Sequence, residues 1–431
     1  MERFDELSKA PERAGASTMG LKVAPIEQVK VGLIGLGNRG SSHVRTFSAL
    51  YPKAKITAIC DVRPEKVKKN LDYLQERGQN PDTYENGLED WKKMVQRDDL
   101  DLVIISTPWQ DHAPMCIYSM QQGKHVASEV NIALSLEDSW KIVNTAEEMQ
   151  RHCIMLENAC YGDEELWVLN MVNNGVFGTL TYAEAAYIHC LTEGFFTTKY
   201  SNKWRIRHHV STDANLYPTH GLGPVAQYMN LGRGDRMDTL VSMSCKPAVL
   251  KEYSKTVEND NEFYDRDDFA HGDMNNSLVK TAAGRTILLQ HDVVTPRPYS
   301  RINALAGTKA YHEGYPSRLS LAEREGHDWL PDAEYKEMWA KHNHPLWDEL
   351  KELREASGGH GGMDIVMAYR LINNLNKGAP LDMDVYDAVD WSLVLPLSAL
   401  SVQLGSAPLK FPDFTRGDWK NKRTLEVLKL T

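Results

Sequence analysis

The sequence feature that most restricts the fold is a glycine-rich turn between an apolar run and a helical pattern. Residues 29–34, VKVGLI, have the composition of a buried parallel strand, and Gly35, Gly37 and Gly40 follow in the spacing G-x-G-x-x-G. Glycines at this spacing let backbone N–H groups approach a pyrophosphate at the start of the next helix. The pattern predicts a dinucleotide site, but glycine-rich turns are common, so it needs support from its context.

That support comes from the second strand pattern. Residues 55–61, KITAICD, end in Asp61, 21 residues after Gly40. A carboxylate at this distance accepts hydrogen bonds from the adenosine ribose and repels a 2′-phosphate, which favours NAD over NADP. Arg63 leaves NADP as an alternative cofactor, because a nearby arginine can accommodate the additional phosphate. The alternative, an aspartate that only caps its strand, is disfavoured by the complete strand–turn–helix–strand context.

Strand and helix patterns alternate through the rest of the first half. Three further segments have strand patterns: 100–107, 125–129 and 153–159. Two have helical patterns: 112–124, and 135–149 with a Ser135 cap. This order predicts a doubly wound parallel sheet, in which ligands gather at the carboxyl ends of the strands. Those ends carry polar or aromatic side chains at 107–112, 129–131 and 157–161.

After about residue 160 the pattern changes to short alternations without intervening helices. They occur at 179–189, 238–246, 275–282 and 284–294. Helical patterns flank them near 162–174, 218–231 and 361–376. The fold class predicted is α/β, with an N-terminal Rossmann sheet and a C-terminal α+β domain built on a large, open, mainly antiparallel sheet. We expect an arm or linker at 1–27, an NAD-binding domain at 28–160, and a substrate-binding and oligomerisation domain at 161–431.

Composition excludes several other classes. The 431 residues are too many for one ordinary core, and a net charge of −10 without a basic block argues against nucleic acid or an anionic membrane as partner. No apolar run approaches the roughly 18 residues of a membrane span. The first 27 residues lack an apolar signal core and are expected to be mobile. Because an export signal could have been removed, the compartment stays open.

The six cysteines are scattered, so neither a disulfide framework nor a zinc site is expected.

Seven motifs give a closer match. PWQDH, EVN, LENACY, KWR, LYPTHGLGP, HDVVTPRPY and GGHGGMD occur in this order. Their order resembles glycoside hydrolase family 109, within the Gfo/Idh/MocA oxidoreductases, over residues 29 to 415. This family contains NAD-dependent α-N-acetylgalactosaminidases, and its YPTHG and GHGGMD motifs are quite specific.

The resemblance implies two sets of contacts. The NAD contacts would be Asn38, Arg39, Asp61, Trp109, Gln110, Asp111, His112, Glu129, Val130 and Asn158. The sugar contacts would be Tyr187, Arg205, Tyr217, Pro218, Thr219, His220 and Tyr299. The implied substrate is therefore a small sugar or glycoside. The implied chemistry is oxidation of the sugar at C3 by NAD, elimination across C1–C2, addition of water, and return of the hydride.

This scheme needs groups that exchange protons near neutral pH. We expect His220 to be the general base, since an imidazole has a suitable intrinsic pKa. Tyr217 precedes it by three residues, which places both on one face at a helix start. Tyr161, at the end of LENACY, is the second candidate for proton transfer.

Structural interpretations of the same residues stay open. His220 could cap a turn, Tyr187 could be an ordinary strand aromatic, and Arg205 could belong to a structural ion pair. The histidine pairs 208–209 and 342–344 could suggest a metal site. Adjacent histidines usually point apart, and no carboxylate lies at ligand spacing, so we expect no metal.

Three departures from related patterns affect the substrate. Sugar dehydrogenases of the wider superfamily resemble one another in a Glu-Lys-Pro motif, where this chain has Glu129-Val130-Asn131. The missing lysine favours the glycosidase family. The loop 188–203 is shorter than is usual in that family, and Asp111 replaces a more usual tryptophan. Both departures leave the aglycone preference and the N-acetyl requirement open.

Three functions from different classes therefore remain: an NAD-dependent glycosidase, an NAD-linked sugar or polyol dehydrogenase, and a non-catalytic NAD-binding protein. The superfamily resemblance also implies a homo-oligomer formed through the C-terminal sheet.

Overall fold

The structure, a computed structural model, describes residues 2–324, 327–357 and 359–429. Its first sheet has six strands: β1 (Val29–Ile34), β2 (Ala54–Cys60), β3 (Asp82–Tyr84), β4 (Leu102–Ile105), β5 (His125–Ser128) and β6 (Cys153–Met155). They are all parallel, in the spatial order β3-β2-β1-β4-β5-β6. The predicted Rossmann sheet is confirmed. The order reverses between β1 and β4, where such sheets bind ligands.

A second, eight-stranded sheet follows. Its strands are β7 (Leu180–Ile188), β8 (Met237–Ser244), β9 (Asn275–Thr281), β10 (Thr286–Asp292), β11 (Ala304–Gly307), β12 (Ala310–Glu313), β13 (Arg318–Leu321) and β14 (Leu409–Lys410). The spatial order is β13-β12-β11-β7-β10-β9-β8-β14. All neighbours are antiparallel except β7 and β10, which are parallel. The predicted mainly antiparallel sheet is confirmed, with one parallel pair at its centre.

The helices before β7 are α1 (Glu2–Leu7), α2 (Asn38–Ser48), α3 (Pro64–Gln75), α4 (Asp90–Val95), α5 (Trp109–Gln121), α6 (Leu136–Met149) and α7 (Asp163–Asn173). Those after it are α8 (Thr192–Phe196), α9 (Trp204–Ser211), α10 (Thr219–Tyr228), α11 (Val249–Ser254), α12 (Asp332–His342), α13 (Pro345–Glu349), α14 (Lys351–Ser357), α15 (Met363–Lys377), α16 (Val385–Ser392) and α17 (Val394–Gln403). The predicted Ser135 cap is confirmed, because its hydroxyl oxygen accepts from the Asp138 N–H at 3.1 Å.

The predicted strand 153–159 is too long. Only Cys153–Met155 is a strand, and Asn158–Tyr161 forms a short 3₁₀ turn. The side chain of Glu157 causes this change, since it accepts from the backbone N–H of Ala159 at 3.1 Å and so caps the turn. The chain leaves the sheet here and passes into the second domain.

The N-terminal segment lies along the body of the protein. The N–H of Val23 donates to Gly378 at 3.2 Å, and the N–H of Ile26 donates to Leu375 at 3.1 Å, both at the end of α15. Arg13 reaches the buried carboxylate of Glu147 at 3.1 Å. These contacts hold the segment, which the sequence alone presents as mobile.

Within residues 2–324, 327–357 and 359–429, one stretch, Val385–Gln403, has the length and composition of a membrane span, contrary to the expectation that no apolar run approaches that length. It comprises α16 and α17, and 72% of its most apolar window is buried inside the protein. The stretch therefore has the surroundings of a core helix pair.

Candidate active site

Helix α10 is held against both sheets by two glycines. A Cβ atom at Gly221 would lie 2.5 Å from the backbone N of Ala186 in β7, and one at Gly223 would lie 2.9 Å from Cγ of Glu157. Only glycine permits this approach at either position. As a result, the start of α10 lies between β7 and the turn that follows β6.

This packing brings three side chains into a row. The imidazole Nδ1 of His220 lies 2.6 Å from Oε1 of Glu157, and its Nε2 lies 3.5 Å from the hydroxyl of Tyr217. Glu157 is fully buried, whereas 17% of the His220 side chain is exposed. Because the carboxylate accepts the Nδ1 proton, Nε2 is the free base, and it faces the tyrosine hydroxyl. Glu157, His220 and Tyr217 form the base cluster.

Two more predicted sugar contacts adjoin the base cluster. The ring of Tyr187 stacks on Tyr217 with centroids 4.5 Å apart and meets His220 edge-on at 5.5 Å. Tyr299 packs edge-on against Tyr187 at 6.4 Å and is 40% exposed. Its hydroxyl accepts a hydrogen bond from Arg301 at 3.0 Å. Burial raises the pKa of Tyr187 to about 12 and the pKa of Tyr217 well above its usual value, so both phenols stay protonated at neutral pH.

Arg205 completes the aromatic side of the pocket. Its guanidinium carbon lies 4.9 Å from the ring centroid of Tyr217, and 5.3 Å from those of Trp109 and Tyr200. The predicted alternative of a structural ion pair is not observed, because no carboxylate of the described residues pairs with it. Pro218 and Thr219 are buried at the start of α10.

The glycine turn fits a dinucleotide. A Cβ atom at Gly40 would overlap the carbonyl oxygen of Gly35 at 1.7 Å, so the turn can close only with glycine there. Gly37 precedes the first residue of α2 and supplies no side-chain cap, which leaves the N–H groups of Asn38 and Arg39 at the open helix start. Such a start is an anion site for a pyrophosphate.

Asp61 lies at the end of β2, as predicted, but its carboxylate is already engaged. It accepts from the N–H of Leu36 at 2.6 Å, and from Arg63 through the backbone N–H at 2.9 Å, Nε at 2.9 Å and a terminal nitrogen at 3.0 Å. Four donors fill about four lone-pair positions. Ribose hydroxyls can therefore bind Asp61 only where Arg63 gives up part of its contact.

A second network joins the glycine turn to the GGHGGMD motif. The first residue of that motif, Gly358, lies outside the described residues. Arg39 donates to Glu129 at 2.9 Å and to Asp364 at 3.0 Å. Glu129 also contacts Nε2 of His43 at 2.6 Å, and Asp364 accepts from Asn158 at 2.7 Å. Although burial raises both pKa values, Arg39 holds the pKa of Glu129 well below its usual range, and His360, 2.9 Å from Asp364, together with Arg39 does the same for the pKa of Asp364. The carboxylates of Glu129 and Asp364 and the side chain of Arg39 form the Arg39 network.

The residues of the PWQDH motif divide by environment. Trp109 is buried and packs on Trp204 with centroids 5.0 Å apart, whereas Gln110 is exposed. Burial raises the pKa of Asp111. His112 is buried with its nitrogens 2.7 Å from the carbonyl of Asn131 and 2.8 Å from that of Thr107. His112 therefore positions the two loops, including the one after Val130, and its ring nitrogens are not free for a ligand.

Tyr161 is not part of the base cluster. Its hydroxyl donates to Asp382 at 3.0 Å, and the same carboxylate is paired with Arg370 at 2.6 Å. Burial raises the pKa of Tyr161 well above its usual value. The prediction of proton transfer by Tyr161 is not supported, because the hydroxyl is bound within a structural ion pair. Sequence reasoning instead missed Glu157, four residues earlier, whose place in LENACY was its only signal.

The loop 188–203 lies across the dinucleotide side. The amide of Asn38 donates to the carbonyl of Lys199 at 2.9 Å, and Arg63 contacts the hydroxyl of Ser201. The loop therefore links α8 and α9 of the second domain to the glycine turn and to the ribose position.

His208 and His209 point apart, as expected. His208 packs on Trp109 with centroids 5.0 Å apart, whereas His209 faces a buried group with His271 and His291. Burial lowers the pKa of these three histidines, and of His271 to about 4. Across residues 2–324, 327–357 and 359–429, no group of three or more histidine, cysteine or acidic side chains is arranged to hold a metal ion.

Comparison with known proteins agrees with this geometry. Residues 29–157 match the oxidoreductase family with an NAD-binding Rossmann fold, and residues 161–421 match the C-terminal domain of glycosyl hydrolase 109. A family 109 protein of Solibacter usitatus is 47% identical over 410 residues, covering 94% of this chain and 93% of the relative. One from Shewanella pealeana is 44% identical, covering 96% and 91%.

A solved structure of levoglucosan dehydrogenase in complex with NADH has a TM-score of 0.68 at 15% identity, covering 90% of this chain and all of that one. At that identity the likeness concerns the fold alone. The fold and the glycine turn define an NAD-binding enzyme of the oxidoreductase type. Within that class, the chain belongs to glycosyl hydrolase family 109.

Proposed function

We propose that the protein is a glycosidase that hydrolyses α-linked N-acetylgalactosaminides or related sugars by oxidation at C3, elimination across C1–C2, addition of water and re-reduction. The observation that carries the proposal is the base cluster, in which a buried carboxylate, an imidazole and a phenol lie in one row. Family membership supports the glycosidic reaction, while the particular sugar is inferred from the resemblance.

NAD, when bound, supplies the acceptor for the C3 hydride and later returns it. His220 takes the proton of the C3 hydroxyl through Nε2, directly or through Tyr217. Glu157 holds the imidazole in one tautomer and stabilises the imidazolium that forms.

Tyr187 and Tyr299 supply flat, partly apolar walls with hydroxyl groups at their ends. Sugar rings bind such surfaces through their C–H faces, while their hydroxyls bind the polar ends. Arg301 occupies one acceptor position of the Tyr299 hydroxyl, at 3.0 Å, so that this hydroxyl is free to donate to a sugar oxygen. The exposed position of Tyr299 suits contact with the leaving group.

The cofactor site supports retention of NAD through the cycle. Loop 188–203 contacts Asn38 and Arg63 on one side, and Asp364 contacts Arg39 on the other. A closed redox cycle requires that the reduced cofactor remain bound until the sugar is reduced again. We also propose, from the resemblance, that the open sheet of the second domain is a contact between copies of the chain.

The direct test is a panel of α- and β-linked p-nitrophenyl glycosides, with the α-N-acetylgalactosaminide as the first member. Release of p-nitrophenol without accumulation of NADH is expected. Steady formation of NADH from free sugar would instead show a sugar or polyol dehydrogenase. Tight NAD binding with neither activity would show a non-catalytic protein.

Isotope exchange tests the elimination step separately. A substrate with deuterium at C2 should lose that label to the solvent during turnover, because C2–H is acidic only beside a C3 ketone. Complete retention of deuterium in the product would contradict elimination, even if the glycoside is cleaved.

A further inference from the structure

The charge of Arg205 is exceptional among the buried arginines. Among the residues whose burial the structure describes, four arginines are buried: Arg205, Arg233, Arg301 and Arg370. Arg233 pairs with Asp387 at 2.6 Å, Arg370 pairs with Asp382 at 2.6 Å, and Arg301 pairs with Glu165. Among the residues that the structure describes, Arg205 alone of the four has no carboxylate partner.

The carboxylates of the base cluster and of the Arg39 network do not compensate Arg205, because other groups use them. Glu157 is bound to His220, and Glu129 is bound to Arg39 and His43. Arg205 is surrounded instead by the faces of Trp109, Tyr200 and Tyr217. Aromatic faces attract a cation but do not neutralise it. A buried cation without a counter-ion is costly, so such a group is expected where a ligand brings or develops negative charge.

A sugar with hydroxyl and acetamido groups brings no negative charge, but its elimination develops one. On the proposed function, C3 is a ketone when C2 loses its proton. The C2 proton passes to Nε2 of His220, which has by then released the C3-hydroxyl proton to the solvent, while the electron pair of the C2–H bond forms a C2=C3 double bond and places negative charge on the C3 oxygen. When the C1–O bond breaks, this charge returns as the C3=O bond, a C1=C2 double bond forms, and the aglycone leaves with the electron pair of its bond and takes up a proton.

We propose that Arg205 is a catalytic residue of this step, and that it stabilises the enolate oxygen at C3. The role rests on the proposed function and goes beyond a binding contact. Arg205 lies against Tyr217, which faces the base His220, so the cation and the proton acceptor belong to one pocket. A fixed cation in a water-poor site stabilises developing charge more than it stabilises a neutral ground state.

The test measures oxidation and deprotonation separately in the NAD-loaded enzyme. Formation of NADH on mixing with sugar reports hydride removal at C3, and uptake of solvent deuterium at C2 reports enolate formation. The variants are Arg205→Met, which removes the charge, and Arg205→Lys, which keeps the charge without the planar fork. Arg207→Met is the matched control, because Arg207 lies on the same helix but is exposed and pairs with Glu262 at 2.7 Å.

At saturating sugar, Arg205→Met should lower the rate of C2 exchange by about 100-fold, comparable with loss of one oxyanion donor, while NADH formation changes little. Arg205→Lys should recover part of that loss, and it provides the same comparison if the methionine variant does not fold. The control should match the wild type in both rates.

A parallel fall of oxidation and exchange that higher sugar concentration reverses would overturn the proposal, since Arg205 would then only bind the sugar. Unchanged exchange in Arg205→Met would overturn it as well. If the wild type shows neither NADH formation nor exchange at C2, the proposed function itself is wrong, and this role falls with it.

Discussion

Arg39 and Arg205 were both expected to contact ligands, yet their surroundings differ in one decisive respect. Arg39 is neutralised within the protein by Glu129 and Asp364, whereas Arg205 is surrounded by aromatic rings. A compensated arginine holds two parts of the chain together, and here it joins the glycine turn to the start of α15. An uncompensated arginine is available to a ligand. Substitutions in the Arg39 network should therefore change stability, and those beside Arg205 should change rate.

The largest effect is expected in the base cluster. His220→Ala removes the proton acceptor and should lower kcat by about 1,000-fold, within the range for general acid–base groups. NAD affinity, measured by calorimetry, and the melting temperature should change little. Lost NAD affinity would show that His220 belongs to the dinucleotide side.

Glu157→Gln keeps the shape of the side chain but removes the charge that stabilises the imidazolium. We expect kcat to fall by about 100-fold, less than for His220→Ala because the base itself remains. In the double variant the two losses should not add, since both residues act in one proton transfer. If the two losses in kcat add fully in steady-state assays, Glu157 and His220 do not act in the same proton transfer.

Asp364→Ala tests the role of Arg39, the arginine that carboxylates compensate. It leaves Arg39 with Glu129 and His360 and removes the acceptor of Asn158, so the free energy of unfolding should fall by about 2–3 kcal/mol. Chemical denaturation of the full chain measures this. Asp72→Ala is the control, because its pair with Lys68 is exposed and is worth about 0–1 kcal/mol. An unchanged unfolding free energy in Asp364→Ala would remove the distinction between the two arginines.

The same network predicts the acid dependence of stability. The pKa values of Glu129 and Asp364 are lowered in the folded state, so their stabilisation is present above the unfolded-state pKa of about 4 and is lost as the pH falls below it. Unfolding free energies measured from neutral pH downward should decline more steeply in the wild type than in Asp364→Ala. Equal slopes would contradict this assignment.

The smallest effect is expected at Asp61. Arg63 already compensates the charge of Asp61, but the ribose of NAD must still bind this carboxylate. Asp61→Ala removes the ribose acceptor and frees Arg63, so NAD affinity should fall by about tenfold and binding of NADP should improve. Titration with both cofactors gives the ratio of their affinities. If that ratio is unchanged, Asp61 does not select the cofactor.

The sheets were predictable because they depend on periodic patterns. The run at 29–34, the glycine spacing and Asp61 define the first domain by spacing along the chain, and the alternations after residue 160 define the second sheet. The parallel pairing of β7 with β10 was not predictable, since alternation does not encode the direction of a neighbour.

The pocket was predictable in part. YPTHG pointed to Tyr217 and His220 through the family pattern, but the partner of the histidine, Glu157, lies 63 residues earlier in the chain. The same limit explains why Tyr161 was predicted to transfer a proton: its partner, Asp382, lies 221 residues later in the chain. Side chains that meet through tertiary packing leave no local spacing in the sequence. Arg63 was noted as a possible phosphate contact, whereas its pairing with Asp61, two residues earlier, was not predicted although it is local.

The docked N-terminal segment has a consequence for the order of folding. Arg13 donates to Asp418, 405 residues further along the chain, and residues 23 and 26 are hydrogen-bonded to the end of α15. During synthesis this segment emerges long before its binding surface exists. The first sheet can form while ribosomes are still adding the second domain, but the segment can dock fully only after residue 418 has left the ribosome. Its docking is therefore a late event, which reports completion of both domains.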